Sequence, residues 1–286
     1  VTNVHRVLGI VNGTTNFVLG EMESGRTYAE ALAEAQRLGY AEADPTEDVT
    51  GLDAAAKMAI LATVAFGTRV PLDWIEVAGI DTVRDEHVAA ARALDMRVKL
   101  VGEAVLVDGR VGVRVCPAFV DAHHPLAAVE GAFNAVMLQG DAIRELTLEG
   151  PGAGGLETAS AVVADMVSVL GTGGAGFLNQ DPVWRSLDRL PAGELPSPHY
   201  LRLEVEDRAG VLARLAQELA NEGVSVARLV QQPGDGHAVL HVVTHESPAG
   251  KVQAALAAIR ALPEARRRAA ALPVVSSRGV AELGWT

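Results

Sequence analysis

The side chains best suited to chemistry lie between residues 42 and 57, where five carboxylates precede a single lysine. Asp53 and Lys57 are four residues apart, so on a helix they share one face and can form an ion pair. Apolar residues flank Lys57 on both sides, which predicts a buried lysine. Because burial disfavours an isolated ammonium, such a lysine can exchange a proton near neutral pH. We therefore expect Lys57 to act as an acid or base that Asp53 orients.

The same spacing also permits a purely structural interpretation. Asp53 and Lys57 can form a surface ion pair, and carboxylates at the start of a helix complement its dipole. The apolar sequence around Lys57 favours the chemical interpretation over the structural one.

Two glycine-containing turns follow predicted strands. Residues 9–16, Gly-Ile-Val-Asn-Gly-Thr-Thr-Asn, lead from a strand into a helix, whose N-terminus favours anions; a capped helix start is the alternative. Residues 150–155 match the Gly-x-Gly-x-x-Gly pattern of dinucleotide-binding folds. The helix that follows does not lead to a second parallel strand ending in an acid, so this match does not indicate a Rossmann unit.

The pattern of apolar residues predicts an α+β protein with two domains. Residues 1–186 form a mixed α/β domain with a central sheet, which includes a hairpin at Asp108-Gly109. Proline-rich residues 187–198 form a linker. Residues 199–286 follow the βαββαβ order of a ferredoxin-like domain.

Composition restricts the possible partners and location. Thirty-six acidic and 24 basic residues give a net charge of −12, and nucleic acid and membranes are therefore not expected partners. The single cysteine, Cys116, excludes an internal disulfide, so we expect a cytoplasmic protein. The sequence begins at Val1 and enters a strand almost at once, so we expect it to be part of a larger protein.

Residues 42–57 fit the pattern Glu-x-Asp-Pro-x-x-Asp-x-x-Gly-x-Asp-x-x-x-Lys at every specified position. This pattern resembles the signature of homoserine dehydrogenases, NAD(P)-linked enzymes of threonine, methionine and isoleucine synthesis that interconvert L-homoserine and L-aspartate 4-semialdehyde. The resemblance implies that Lys57 exchanges the proton on the C4 oxygen while hydride passes between that carbon and the nicotinamide. It implies further that Asp53 positions the hydroxyl and Lys57. Glu42 would hold the substrate ammonium, and Asp48 would support the acidic side of the site.

The two glycine-containing turns and the Gly39-Tyr40 pair also resemble this family. The residues implied as contacts are Gly13, Thr14 and Tyr40 for the substrate and Gly39, Gly152 and Gly154 for NADP or NAD. An ordinary helix C-cap at Gly39 and a tight turn at Gly152 are the alternatives. The dinucleotide would be bound mainly by an N-terminal domain absent from this chain. That absent domain would also hold a monovalent-cation site. We therefore expect the chain alone to be inactive.

The C-terminal domain resembles an ACT domain, a sensor of small molecules, from its element order and the sequence Asp207-Arg-Ala-Gly210-Val-Leu. The resemblance implies threonine as the effector, with Asp207 and Gly210 at its binding loop, and a homodimer or homotetramer. A domain that only mediates dimerisation is the alternative.

Two other functions remain open for the whole chain. One is a stand-alone amino-acid-binding regulatory protein without dehydrogenase activity, although a sensor has no use for a lysine among carboxylates. The other is a dehydrogenase for a branched or dicarboxylic amino acid, which would need a different acidic loop.

Three histidines, His237, His241 and His245, are spaced four apart. On a helix this spacing would suggest a metal site, but the β-branched residues around them predict a strand. Positions four apart on a strand are separated by about 13 Å, too far to bind one ion, so we expect no metal there.

Overall fold

The computed structural model describes residues 2–172, 184–234, 236–266 and 270–276. The described residues form two compact units. The N-terminal unit is drawn from residues 1–85, 99–116 and 128–189. The C-terminal unit is drawn from residues 86–98, 117–127 and 190–286.

The two units are not simple consecutive stretches of the chain. Residues 86–98 and 117–127 group with the C-terminal unit, although they precede the predicted linker. The boundaries predicted at residues 186 and 199 stay a prediction from the sequence, and residues 277–286 lie outside the described part of the chain.

Both units contain helices and strands, as the sequence predicts. Up to residue 189 they are β1 (Val4–Ile10), α1 (Gly13–Glu23), α2 (Tyr28–Leu38), α3 (Thr46–Val49), α4 (Leu52–Phe66), β2 (Glu76–Val77), α5 (Asp85–Ala93), β3 (Met96–Val107), β4 (Arg110–Asp121), β5 (Phe133–Gly140), β6 (Glu145–Pro151), α6 (Gly155–Thr172) and β7 (Asp188–Arg189). After residue 189 they are β8 (Pro196–Ser197), β9 (His199–Glu206), α7 (Val211–Asn221), β10 (Val226–Pro233), β11 (His237–Thr244), β12 (Ser247–Pro248), α8 (Ala249–Arg260) and β13 (Ala270–Val275).

The sheet of the N-terminal unit has the strand order β4-β3-β1-β5-β6. Strand β1 pairs antiparallel with both β3 and β5, and α4 packs on β1. The hairpin predicted between β3 and β4 is present: Asp108 and Gly109 both have positive φ, 49° and 73°, as a two-residue hairpin turn requires. Because β1 runs directly into α1, the sheet places the start of α1 beside α4.

Local sequence explains where two helices of the N-terminal unit, α2 and α4, begin. Thr27 and Glu30 form a reciprocal capping box at the start of α2. Gly51 precedes α4 with φ +85°, a conformation that glycine adopts without strain. This turn places Asp53 in the first turn of α4 and Lys57 one turn later.

The C-terminal unit confirms the ferredoxin-like prediction. Its strands pair in the order β10-β11-β9-β13, and α7 packs against α8. Leucines and valines from the strands and both helices form its core, including Leu201, Leu203, Leu215, Leu240, Val252 and Leu256. The end of β4 pairs in parallel with β13 within this unit. The α+β fold class is therefore confirmed.

No helix in the described part of the chain combines the length and apolar character needed to cross a bilayer.

Candidate active site

A cavity of about 1080 Å³ lies in the N-terminal unit. Its walls come from the start of α1, the end of α2, the start of α4, and residues 128–134 and 149–154. This volume slightly exceeds the usual range for ligand pockets, roughly 300–1,000 Å³. The cavity brings together the ten residues predicted for substrate, cofactor and proton transfer: Gly13, Thr14, Gly39, Tyr40, Glu42, Asp48, Asp53, Lys57, Gly152 and Gly154.

Asp53 and Lys57 form an ion pair on one face of α4. Lys57 Nζ lies 2.7 Å from Asp53 Oδ2 and donates a second hydrogen bond to the carbonyl of Val11, at 3.1 Å. The prediction that Lys57 is buried is wrong, because its side chain is 45% exposed. Only one face of α4 packs on the sheet, and Lys57 lies on the face that borders the cavity. The lysine is thus accessible to a ligand and held at two points.

Asn12 connects the two aspartates that the sequence predicts for the site. Its Nδ2 donates to Asp48 Oδ1 at 2.6 Å and to Asp53 Oδ2 at 2.9 Å. Its Oδ1 accepts from the backbone N–H of Thr15 at 2.8 Å, so Asn12 is also the N-cap of α1. Asn12 is not among the predicted site residues, because an asparagine at a helix start has the simpler interpretation of an N-cap.

The start of α1 lies against the end of α2. Thr14 Oγ1 donates to the carbonyl of Tyr40 at 2.5 Å, so this hydroxyl already has a protein partner. The ring of Tyr40, which lines the cavity, packs on the ring of Phe17, with the ring centroids 5.0 Å apart and the planes tilted by 54°. Gly39 ends α2 with φ +79°, as predicted for a helix C-cap. Local capping and cavity lining therefore coincide at Gly39.

Residues 128–134 form a wall that the sequence gives no signal for. Gly13 faces this wall so closely that a Cβ at position 13 would lie 2.5 Å from the carbonyl oxygen of Ala132. Asn134 borders Gly152 in the same way, since a Cβ there would lie 1.9 Å from Asn134 Nδ2. Two of the glycines predicted as ligand contacts, Gly13 and Gly152, thus also allow close packing against this wall.

The cavity is strongly acidic. Its carboxylates are Glu42, Asp48, Asp53, Glu130 and Glu149. Lys57 is the only cation among the described residues that line it. This charge distribution favours a ligand that carries an ammonium group and opposes a dicarboxylate.

The predicted effector residues belong to the C-terminal unit. Gly210 immediately precedes α7 with φ +90°, and Asp207 Oδ1 accepts a hydrogen bond from Gln231 Nε2 at 3.2 Å. Asp207 and Gly210 lie in the loop between β9 and α7, where the sequence predicts the effector site. His237 and His241 lie on β11, as predicted, whereas the strand prediction is wrong for His245, because β11 ends at Thr244.

Comparison with known families explains this combination of units. The profile of the family described as "Homoserine dehydrogenase" matches residues 1–167, and that of the ACT domain matches residues 199–264. The chain therefore combines a domain of a dehydrogenase family with an ACT domain. The chain belongs to the homoserine dehydrogenase family.

Curated relatives and solved structures agree with this assignment. The chain is 40% identical over 253 residues to the homoserine dehydrogenase of Bacillus subtilis, covering 85% of this chain and 58% of that protein. It is 46% identical over 240 residues to that of Mycobacterium tuberculosis, covering 80% and 54%. A crystal structure of a homoserine dehydrogenase from Thiobacillus denitrificans aligns with TM-score 0.89 and 36% identity, covering 96% and 65%. The chain thus spans little more than half the length of these curated relatives.

Proposed function

We propose that this chain carries the substrate-binding and proton-transfer part of an enzyme that interconverts L-homoserine and L-aspartate 4-semialdehyde with NAD(P). The observation that carries the proposal is the Asp53–Lys57 pair on the wall of a large acidic cavity. A sensor of amino acids would not need an accessible lysine held between a carboxylate and a carbonyl. The acidic wall also argues against a dicarboxylic substrate.

Each polar group of homoserine has a complementary group in the cavity. Glu42 binds the substrate ammonium, and the backbone N–H groups at the start of α1 bind its carboxylate. Lys57 faces the C4 hydroxyl: in the oxidation it accepts the proton from the C4 oxygen, and in the reduction it returns that proton. Asp53 orients Lys57, and Asp48 maintains the acidic side of the site.

NAD(P) supplies the hydride acceptor or donor when it is bound. The residues suited to border it are Gly39, Gly152 and Gly154, because their bare backbone allows a planar ring to approach closely. A hyperthermophilic archaeal homoserine dehydrogenase, 34% identical with TM-score 0.51 and covering 59% of this chain and 48% of that one, was solved in complex with NADPH. We propose that the dinucleotide is bound mainly by a part of the protein outside this chain, and that the chain alone is inactive.

The C-terminal unit is proposed to sense threonine, the end product of the pathway. Its ACT-type fold and the loop that holds Asp207 and Gly210 support this role. ACT domains commonly act in pairs, which supports a homodimer or homotetramer. Threonine should slow homoserine oxidation by the full-length wild type, and Asp207→Ala should remove that effect while leaving the rate without threonine unchanged.

The catalytic proposal is tested with the full-length protein by the rate of homoserine-dependent NAD(P)⁺ reduction. Lys57→Ala should lower kcat by roughly 10²–10⁴-fold, the usual contribution of a general acid–base. Lys251→Ala, at an exposed lysine of α8, is the control and should retain the wild-type rate. Near-normal turnover by a folded Lys57→Ala protein would return Lys57 to a structural ion pair. A wild type that does not oxidise homoserine would refute the proposed activity and favour the regulatory alternative.

A further inference from the structure

Asn12 lines the cavity, and its side chain connects the segment after β1 to helices α3 and α4. It is 5% exposed and lies two residues after Ile10, the last residue of β1. Its Nδ2 donates to Asp48, at the end of α3, and to Asp53, at the start of α4. These contacts join residues that are 36 and 41 positions apart in the sequence.

The orientation of the Asn12 amide is fixed by its other contacts. Its Oδ1 faces the backbone N–H of Thr15 at 2.8 Å, a group that can only donate. A flipped amide would place N–H against N–H there and would place its oxygen against two carboxylates. The side facing Asp48 and Asp53 is therefore the donor.

This donor reaches Lys57 through Asp53. Asp53 Oδ2 accepts both from Asn12 Nδ2, at 2.9 Å, and from Lys57 Nζ, at 2.7 Å. The second acceptor of Lys57 is the carbonyl of Val11, the residue before Asn12. One acceptor of the Lys57 ammonium is therefore the backbone of Val11, and the other, Asp53, is itself held by the side chain of Asn12.

We propose that Asn12 is a positioning residue, which holds Asp53 in the orientation that directs Lys57 toward the substrate hydroxyl. The inference rests on the proposed function. Without the amide, Asp48 and Asp53 would lose the donor that they share, and their two negative charges would repel each other without a bridging group. Asp53 would then rotate and no longer direct Lys57 toward the substrate hydroxyl.

Asn12→Ser in the full-length protein tests this role, because serine keeps an N-cap oxygen for Thr15 but lacks the second donor. We expect kcat to fall on the order of 100-fold, as for a misplaced catalytic group, with KM for homoserine changed by less than about threefold. The solvent deuterium isotope effect on kcat should rise, since proton transfer becomes slower. Asn3→Ser is the matched control: Asn3 also donates to an aspartate, Asp141, but is exposed and outside the cavity.

A crystal structure of full-length Asn12→Ser gives a result that does not depend on activity. We expect the distance between Lys57 Nζ and Asp53 Oδ2, 2.7 Å here, to exceed about 4 Å, the limit for an ion pair. An unchanged ion pair would overturn the inference, as would wild-type kcat or a loss of kcat without a change in isotope effect. If wild type is active and Lys57→Ala is not, any of these results refutes the positioning role of Asn12 but not the proposed function. An inactive wild type refutes the proposed function, and the distance between Lys57 and Asp53 in the variant then tests the positioning role by itself.

Discussion

Lys99 Nζ donates a 3.0 Å hydrogen bond to Asn16 Oδ1 in the interior of the N-terminal unit, although the two residues are 83 positions apart. Both are buried, with exposures of 4% and 1%. Lys99 also donates to the carbonyl of Val129 at 2.7 Å, and Asn16 Nδ2 donates to the carbonyls of Val129 and Gly131. This pair therefore fixes the start of α1 and one wall of the cavity to strand β3.

Lys99→Met should destabilise the protein. Methionine preserves most of the volume but leaves Asn16 Oδ1 without this donor, and a buried polar group without its partner costs about 1–3 kcal/mol. The measurement is the free energy of unfolding in urea. Lys251→Met, at an exposed position, is the control. Equal stability of the two variants would show that the buried hydrogen bonds contribute little.

A buried carboxylate joins three strands of the same unit. Glu103 on β3 accepts from Arg6 Nε on β1 and Arg114 Nε on β4, each at 2.8 Å. We expect Glu103→Gln to lower the free energy of unfolding by about 3–5 kcal/mol, because it leaves two arginines without their shared counter-charge. Glu34→Gln removes an exposed carboxylate paired with Arg37 and should have little effect. A Glu103→Gln protein as stable as Glu34→Gln would contradict the expectation.

The same group predicts the response of the fold to acid. Burial raises the pKa of Glu103, but Arg114 and Arg6 outweigh this and lower it from 4.5 to about 2. Since the folded state holds the carboxylate charged, its contribution is complete above pH 4.5 and is lost as the pH falls toward 2. Urea unfolding at pH 6 and at pH 3.5 measures this, and Glu103→Gln should show a smaller difference than wild type. An equal loss in both proteins would exclude Glu103 as the cause.

His241 predicts a second pH dependence, in the C-terminal unit. Its Nδ1 lies 2.8 Å from the hydroxyl of Tyr200, which stacks on Phe119. Burial, and then the neighbouring Arg202, lower the pKa of His241 below 6.5. The folded state thus favours neutral histidine, and stability should fall as the pH drops below about 6.5. His241→Gln should flatten the change in urea midpoint between pH 7.5 and 5.5, whereas His123→Gln, at an exposed site, should not. A wild-type slope retained in His241→Gln would refute this.

Gly152→Ala should disturb the cavity wall. The added Cβ would lie 1.9 Å from Asn134 Nδ2, so the loop or Asn134 must move. We expect weaker NAD(P)H binding by the full-length protein, measured by nicotinamide fluorescence. Gly150→Ala is the control, because no atom of the described residues other than its chain neighbours lies within 4 Å of a Cβ there. The double variant Asn134→Ala, Gly152→Ala should recover part of the loss if the clash is the cause.

Features that depend on neighbours in the chain could be predicted from the sequence. The capping box of Thr27 and Glu30, the hairpin turn at Asp108-Gly109 and the pairing of Asp53 with Lys57 each involve residues at most four positions apart. The βαββαβ order of the C-terminal unit follows from the same local periodicities. These features are set by backbone preferences and side-chain spacing, which the sequence displays directly.

Only the tertiary structure decided which distant residues meet in the site. The contacts of Asn12 with Asp48 and Asp53, and the wall at residues 128–134, depend on how α4 and β5 pack against β1. The exposure of Lys57 was mispredicted for the same reason: apolar neighbours in sequence do not show which face of α4 the sheet covers. Burial and long-range hydrogen bonds are properties of packed elements, so local sequence patterns do not determine them.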